Sequence, residues 1–113
     1  MQNRGIVKSG EIVGAKVVNP TNEKLGDIAE VVIDKQSGEV NYLVLDFGGF
    51  LGFGNKYFAV PWQLFLYNDK EDYFVLNVDK NRLKNAPGFD KEHWPNFSEP
   101  EFTTLITNFY TIE

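Results

Sequence analysis

Apolar and polar positions along the chain form short runs separated by dense turn signals. Val13 to Val18 alternates weakly and stops at the cluster Asn19-Pro20-Thr21-Asn22. Leu25 to Ile33 is rich in branched side chains and ends at Asp34-Lys35-Gln36-Ser37-Gly38. In Val40 to Phe47, Tyr42, Val44 and Asp46 alternate with Leu43, Leu45 and Phe47, which predicts a strand with one clearly apolar face. Lys56 to Val60 stops at Pro61, Leu64 to Tyr67 is short, and Tyr73 to Val78 is again strand-like. About six strands thus precede residue 79 with no long helical pattern between them. Short sequential strands with tight turns favour antiparallel pairing, and so few residues favour one small coiled barrel over two sheets.

Beyond Val78 the pattern changes. Asp79 is placed to cap a helical turn over Lys80 to Lys84, which stops at Asn85-Ala86-Pro87-Gly88. Phe89 to Phe97 is irregular but carries Phe89, Trp94 and Phe97. Ser98-Glu99-Pro100-Glu101 fits a capping box with Ser98 as N-cap. Phe102, Leu105, Ile106 and Phe109 then follow at helical spacing, with Thr103, Thr104, Thr107 and Asn108 opposite. The helix is short and threonine-rich, hence weak alone, so it must dock on its own barrel or on a partner subunit. The expected organisation is a lead-in over 1–11, a β-barrel over 12–78, and an extension over 79–113 with a helix at about 99–110.

The 113 residues and 12.9 kDa suit one domain. There is no cysteine and a single histidine, His93, which removes disulfides, thiolate ligands and histidine pairs. The net charge is −5, and residues 85–113 contribute one base, Lys91, against five acids. Arginine occurs only at Arg4 and Arg82, and no basic stripe exists to hold a phosphate backbone or an anionic membrane surface. No apolar run reaches membrane-spanning length and no signal sequence is visible, so the expectation is a cytoplasmic protein without direct membrane insertion.

Phe47-Gly48-Gly49-Phe50-Leu51-Gly52-Phe53-Gly54-Asn55-Lys56 invites a phosphate-loop reading. Asn55 separates Gly54 from Lys56, and a strand follows where such a loop needs a helix. Gly48, Gly49, Gly52 and Gly54 are therefore loop-forming glycines that permit sharp bends. Phe50, Leu51 and Phe53 either fold over the barrel end or meet a partner. Asp27, Glu30, Asp34, Asp46 and Asp72 show neither calcium-loop spacing nor a convergent pair, and read as solvated or turn-forming groups. His93 has no nucleophile near it in sequence, and Ser9, Ser37 and Ser98 fit turn or cap positions. No catalytic residue, metal ligand or cofactor site is expected.

Several runs resemble a PRC-barrel domain, the barrel named for the photosynthetic reaction centre. They are Gly14-Ala15-Lys16-Val17, Gly26-Asp27-Ile28, Gly38-Glu39-Val40, Tyr42-Leu43-Val44-Leu45, Phe47-Gly48-Gly49-Phe50-Leu51-Gly52 and Tyr57-Phe58-Ala59-Val60-Pro61-Trp62. Val78-Asp79-Lys80 and Leu83-Lys84-Asn85-Ala86-Pro87-Gly88-Phe89 resemble the extension of stand-alone bacterial members, often called stress-related. The resemblance implies a six-stranded barrel and a non-enzymatic binding or assembly module. In the reaction-centre H subunit such a domain packs on a membrane complex, and in a ribosome-maturation factor it contacts a ribosomal protein. The 113 residues hold neither the membrane helix of the first nor the preceding domain of the second.

The expected function is protein interaction, with an unidentified protein partner and self-association as a homodimer. Candidate contact residues are Phe50, Leu51, Phe53 and Trp62 at the glycine loop, and Phe89, Trp94 and Phe97 in the extension. The alternative is a small-ligand or anion binder using the Gly48–Lys56 loop.

Overall fold

The computed structural model describes residues 6–48, 56–68 and 70–110. Six strands form one curled sheet: β1 (Lys16–Val18), β2 (Lys24–Ile33), β3 (Val40–Asp46), β4 (Tyr57–Pro61), β5 (Phe65–Asn68) and β6 (Tyr73–Leu76). Three helices accompany them: α1 (Ser9–Ile12), α2 (Lys80–Leu83) and α3 (Pro100–Tyr110). The strand order is β4-β3-β2-β1-β6-β5.

The mainly β, six-stranded expectation holds, but the ladder is mixed rather than antiparallel throughout. β1 pairs parallel with β6, while the other four pairings are antiparallel. The cause is the three-residue 3-10 turn Trp62–Leu64 between β4 and β5. Following the ladder, β4 and β5 both run opposite to β1, so this turn redirects the chain without reversing it. A meander of six strands needs five reversals to bring its last strand back antiparallel to its first. With one reversal missing, β6 meets β1 in parallel. β4 and β5 end the ladder on either side of that corner, and the sheet is a half-barrel among the described residues.

Curvature comes from irregular register. The pairing slips at Leu25 and Ala29 on β2 and at Asn41 on β3. Each extra residue bends its strand and increases local twist. Val17, Leu25, Ile28, Leu43, Leu45, Phe58, Val60, Phe65, Phe74 and Leu76 fill the concave side. Edge-to-face rings knit one end, with Phe74 between Phe65 and Trp62 at 5.7 and 6.3 Å. The lead-in is not passive: α1 inserts Ile12 into this core, and the Glu11 carboxylate accepts from the Lys8 amide at 2.9 Å. The turn after β1 is satisfied locally, since Asn19 Oδ1 accepts from the Glu23 amide at 2.9 Å and from the Thr21 hydroxyl at 2.8 Å.

Gly26 is the tightest backbone crossing. Its φ is +153°, and a Cβ there would fall on the Asp46 carbonyl of β3. Gly26→Ala is expected to lower the urea midpoint strongly, by about 3 kcal/mol in unfolding free energy. Gly10→Ala, where a Cβ meets nothing within 4 Å, serves as the neutral control.

Candidate functional site

The outer face of β3 and β4 also carries buried apolar side chains. Tyr42, Val44 and Ala59 are all buried there, although alternation places them away from the concave core. The C-terminal extension covers them, which is why β3 is enclosed on both sides and not on its Leu43–Leu45 side alone.

The extension is fastened at three places. Asp79 caps α2 by accepting from the Asn81 and Arg82 amides at 3.0 and 3.3 Å, and Leu83 and Ala86 enter the main core. Phe89 then pairs with the edge of β4, exchanging amide and carbonyl with Tyr57 at 2.8 and 2.9 Å. The approach needs Gly88, where a Cβ would stand 2.9 Å from the Tyr57 carbonyl oxygen. Finally α3 lies across β4, with Ile106 1% exposed against Tyr42 and Ala59. Arg82 secures the far end: its guanidinium stacks 4.2 Å from the Phe109 ring centroid and donates to the Phe109 carbonyl. A cation at a helix C-terminus also meets the favourable end of the helix dipole. Tyr110 packs against both cores, and burial pushes its hydroxyl pKa above the usual tyrosine range.

Two local expectations for α3 are corrected. The helix starts at Pro100, and the Glu99 carbonyl accepts from the Phe102 and Thr103 amides, while the Ser98 hydroxyl donates to Asn96 Oδ1 at 3.0 Å. Proline suits the first helical position because it has no amide to satisfy, so the cap falls on Glu99 and not on Ser98. The docked face is centred on Ile106, so Leu105, about 100° round the helix, is 53% exposed instead of joining the stripe.

Between the extension and the sheet lies an open groove of about 740 Å³. One wall is the start of β3 (Glu39, Val40, Asn41 and Tyr42) and the corner after β4 (Pro61, Trp62 and Gln63). The other wall is Phe97, Thr103 and Thr107 of the extension. Trp62 and Phe97, both expected contact residues, are brought together here. Phe89 and Trp94 stand behind Phe97 in a layer of rings. Trp94 lies 5.0 Å from Phe89 and 5.5 Å from Tyr57, and Phe97 lies 5.9 Å from Tyr42. Trp94 remains 42% exposed. Gly48 is exposed with φ +62°, at the entry of its loop. Phe50, Leu51, Phe53, Gly49, Gly52 and Gly54 lie outside the described residues.

Sequence reasoning did not single out Glu39, Asn41, Tyr42, Gln63, Thr103 or Thr107. Thr103 and Thr107, opposite the apolar stripe of α3 in the sequence pattern, line the groove, while Thr104 and Asn108 do not.

Three of the acids singled out from the sequence have structural partners. Asp34 Oδ1 accepts from the Gln36 and Ser37 amides, Asp27 pairs with Lys24 at 3.4 Å, and Asp72 accepts from the Tyr67 hydroxyl at 3.1 Å. Among the described residues no three His, Asp or Glu side chains are placed to hold a metal ion, and no helix is long and apolar enough to cross a membrane. Lys56 lies over the Phe58 ring at 5.4 Å. Exposed His93 bonds Asp90 at 2.7 Å, and that hydrogen bond holds the Asp90 carboxyl below the usual aspartate range.

The PRC-barrel domain family matches residues 5–83. The chain belongs to that family. No curated protein matches it. PRC barrels mediate protein interactions and are generally non-catalytic. The match ends with α2 at Leu83, so the part of the extension that caps the outer face and forms one groove wall lies beyond the matched residues.

Ile106→Ala is expected to cost about 2–5 kcal/mol and to raise amide exchange throughout α3, measured by urea unfolding and hydrogen exchange. The Asp90–His93 turn has a defined pH dependence. A carboxyl with a lowered folded pKa adds stability at neutral pH that is lost as pH falls through that lowered value. Trp94 fluorescence should therefore change at acid pH, and Asp90→Asn should flatten the change.

Proposed function

We propose that this protein is a non-catalytic interaction module whose contact surface is the groove between the PRC barrel and its extension. The observation that carries the reading is the convergence of Trp62, Phe97 and Tyr42 beneath a polar rim of Glu39, Asn41, Gln63, Thr103 and Thr107. Aromatic anchors within a polar rim are the usual anatomy of a protein contact. The ring layer of Phe89 and Trp94 stiffens the wall that presents Phe97. Phe50, Leu51 and Phe53 of the glycine loop form the second contact element in this reading. Half-exposed Leu105, on the outward side of α3, is the position through which a homodimer would pack.

Photocrosslinking tests the surface. A photoreactive phenylalanine analogue at Gln63 or Thr107 should give discrete protein adducts in cells, lost when Trp62→Ala is added. The same analogue at exposed Leu66 should give none. Equal adducts at Leu66, or adducts insensitive to Trp62→Ala, would refute the reading. Light scattering tests the dimer: a mass near twice 12.9 kDa that falls to one chain in Leu105→Glu supports it, and 12.9 kDa at high micromolar concentration ends it.

A further inference from the structure

We infer that the groove receives an extended basic segment of a partner protein, with an apolar side chain seated between Trp62 and Phe97 and a lysine or arginine set against Glu39. The inference rests on the interaction reading above and adds the chemistry of the occupant.

Charge selects it. The lining holds one ionised group, Glu39, and no lysine or arginine; Asn41, Gln63, Thr103 and Thr107 are neutral. Thr103 and Thr107 sit one helical turn apart on α3 and bring only hydroxyls to their wall. The Glu39 carboxylate on the strand wall is thus the one charge the lining offers an occupant. The extension that builds the second wall carries five acids against one base over residues 85–113. An anionic segment or a phosphate backbone would meet like charge with no cation in the lining to answer it. A basic segment gains electrostatic steering and places its charge at an exposed rim, where it stays partly hydrated.

Shape favours an extended chain over a small molecule. The groove is open to solvent, and its exposed polar groups come from both walls. The aromatic floor offers flat apolar area for a side chain, and the amide and hydroxyl groups of Asn41, Gln63, Thr103 and Thr107 can bond a passing peptide backbone. Lysine and arginine stems lie well on aromatic rings while their heads reach a carboxylate.

Three short peptides of one design test this by amide and indole NMR: an apolar core residue flanked by lysines, by glutamates, or by serines. The expected result is that the lysine peptide shifts the Trp62 indole and the Gln63, Thr103 and Thr107 amides, and the glutamate peptide does not. Glu39→Gln should weaken the lysine peptide about two- to fivefold, and added salt should weaken binding to the unsubstituted protein more than to the variant. Equal shifts with the serine or glutamate peptide would overturn the charge assignment and leave the interaction surface standing. No shift with any peptide would remove the groove as a contact surface altogether. Shifts of the same resonances on simple dilution would make the occupant a second copy of this chain and overturn the inference.

Discussion

The outer face of β3 and β4 must be covered, and the rest of the structure follows from how that is done. Tyr42, Val44 and Ala59 present apolar surface away from the barrel core. Leaving it in water would forfeit roughly 25 cal/mol for each Å² and would expose the edge of β4 to pairing with other chains. The extension answers both needs. Phe89 takes the edge of β4 at Tyr57, and Pro61 at the strand's other end has no amide to offer a neighbour. Ile106, Phe97 and Phe102 then cover the face.

The barrel half of the chain was readable because its signals are local. Turn clusters bracket each strand, and two-residue alternation marks the face toward the main core, though not the second buried face of β3. Parallel pairing of β1 with β6 was not readable, since it depends on a non-reversing 3-10 turn that looks in sequence like any Pro-Trp stop. The groove was only half visible for a similar reason. Trp62 and Phe97 are conspicuous as large aromatics, but nothing in sequence says they meet across 34 intervening residues. Thr103 and Thr107 carried no signal, because a polar helix face reads the same whether it borders water or a groove.

The helix α3 shows how weak local propensity is rescued by tertiary contacts. Threonines at three of its positions oppose helix formation, and eleven residues are few for an isolated helix. Ile106 buried against the sheet and Arg82 gripping the last turn supply what the sequence of the helix lacks. Arg82 is one of two arginines in the chain and lies within the residues matched to the PRC-barrel family, so the matched part of the chain grips the end of the segment that follows it.

Because one bank of the groove comes from strands and the other from the appended segment, the cleft is an emergent property of their meeting. In the proposed reading, only the groove-facing positions of the appended segment, such as Thr103 and Thr107, are free to vary the recognition chemistry, because Ala86, Phe89 and Ile106 are tied to the sheet.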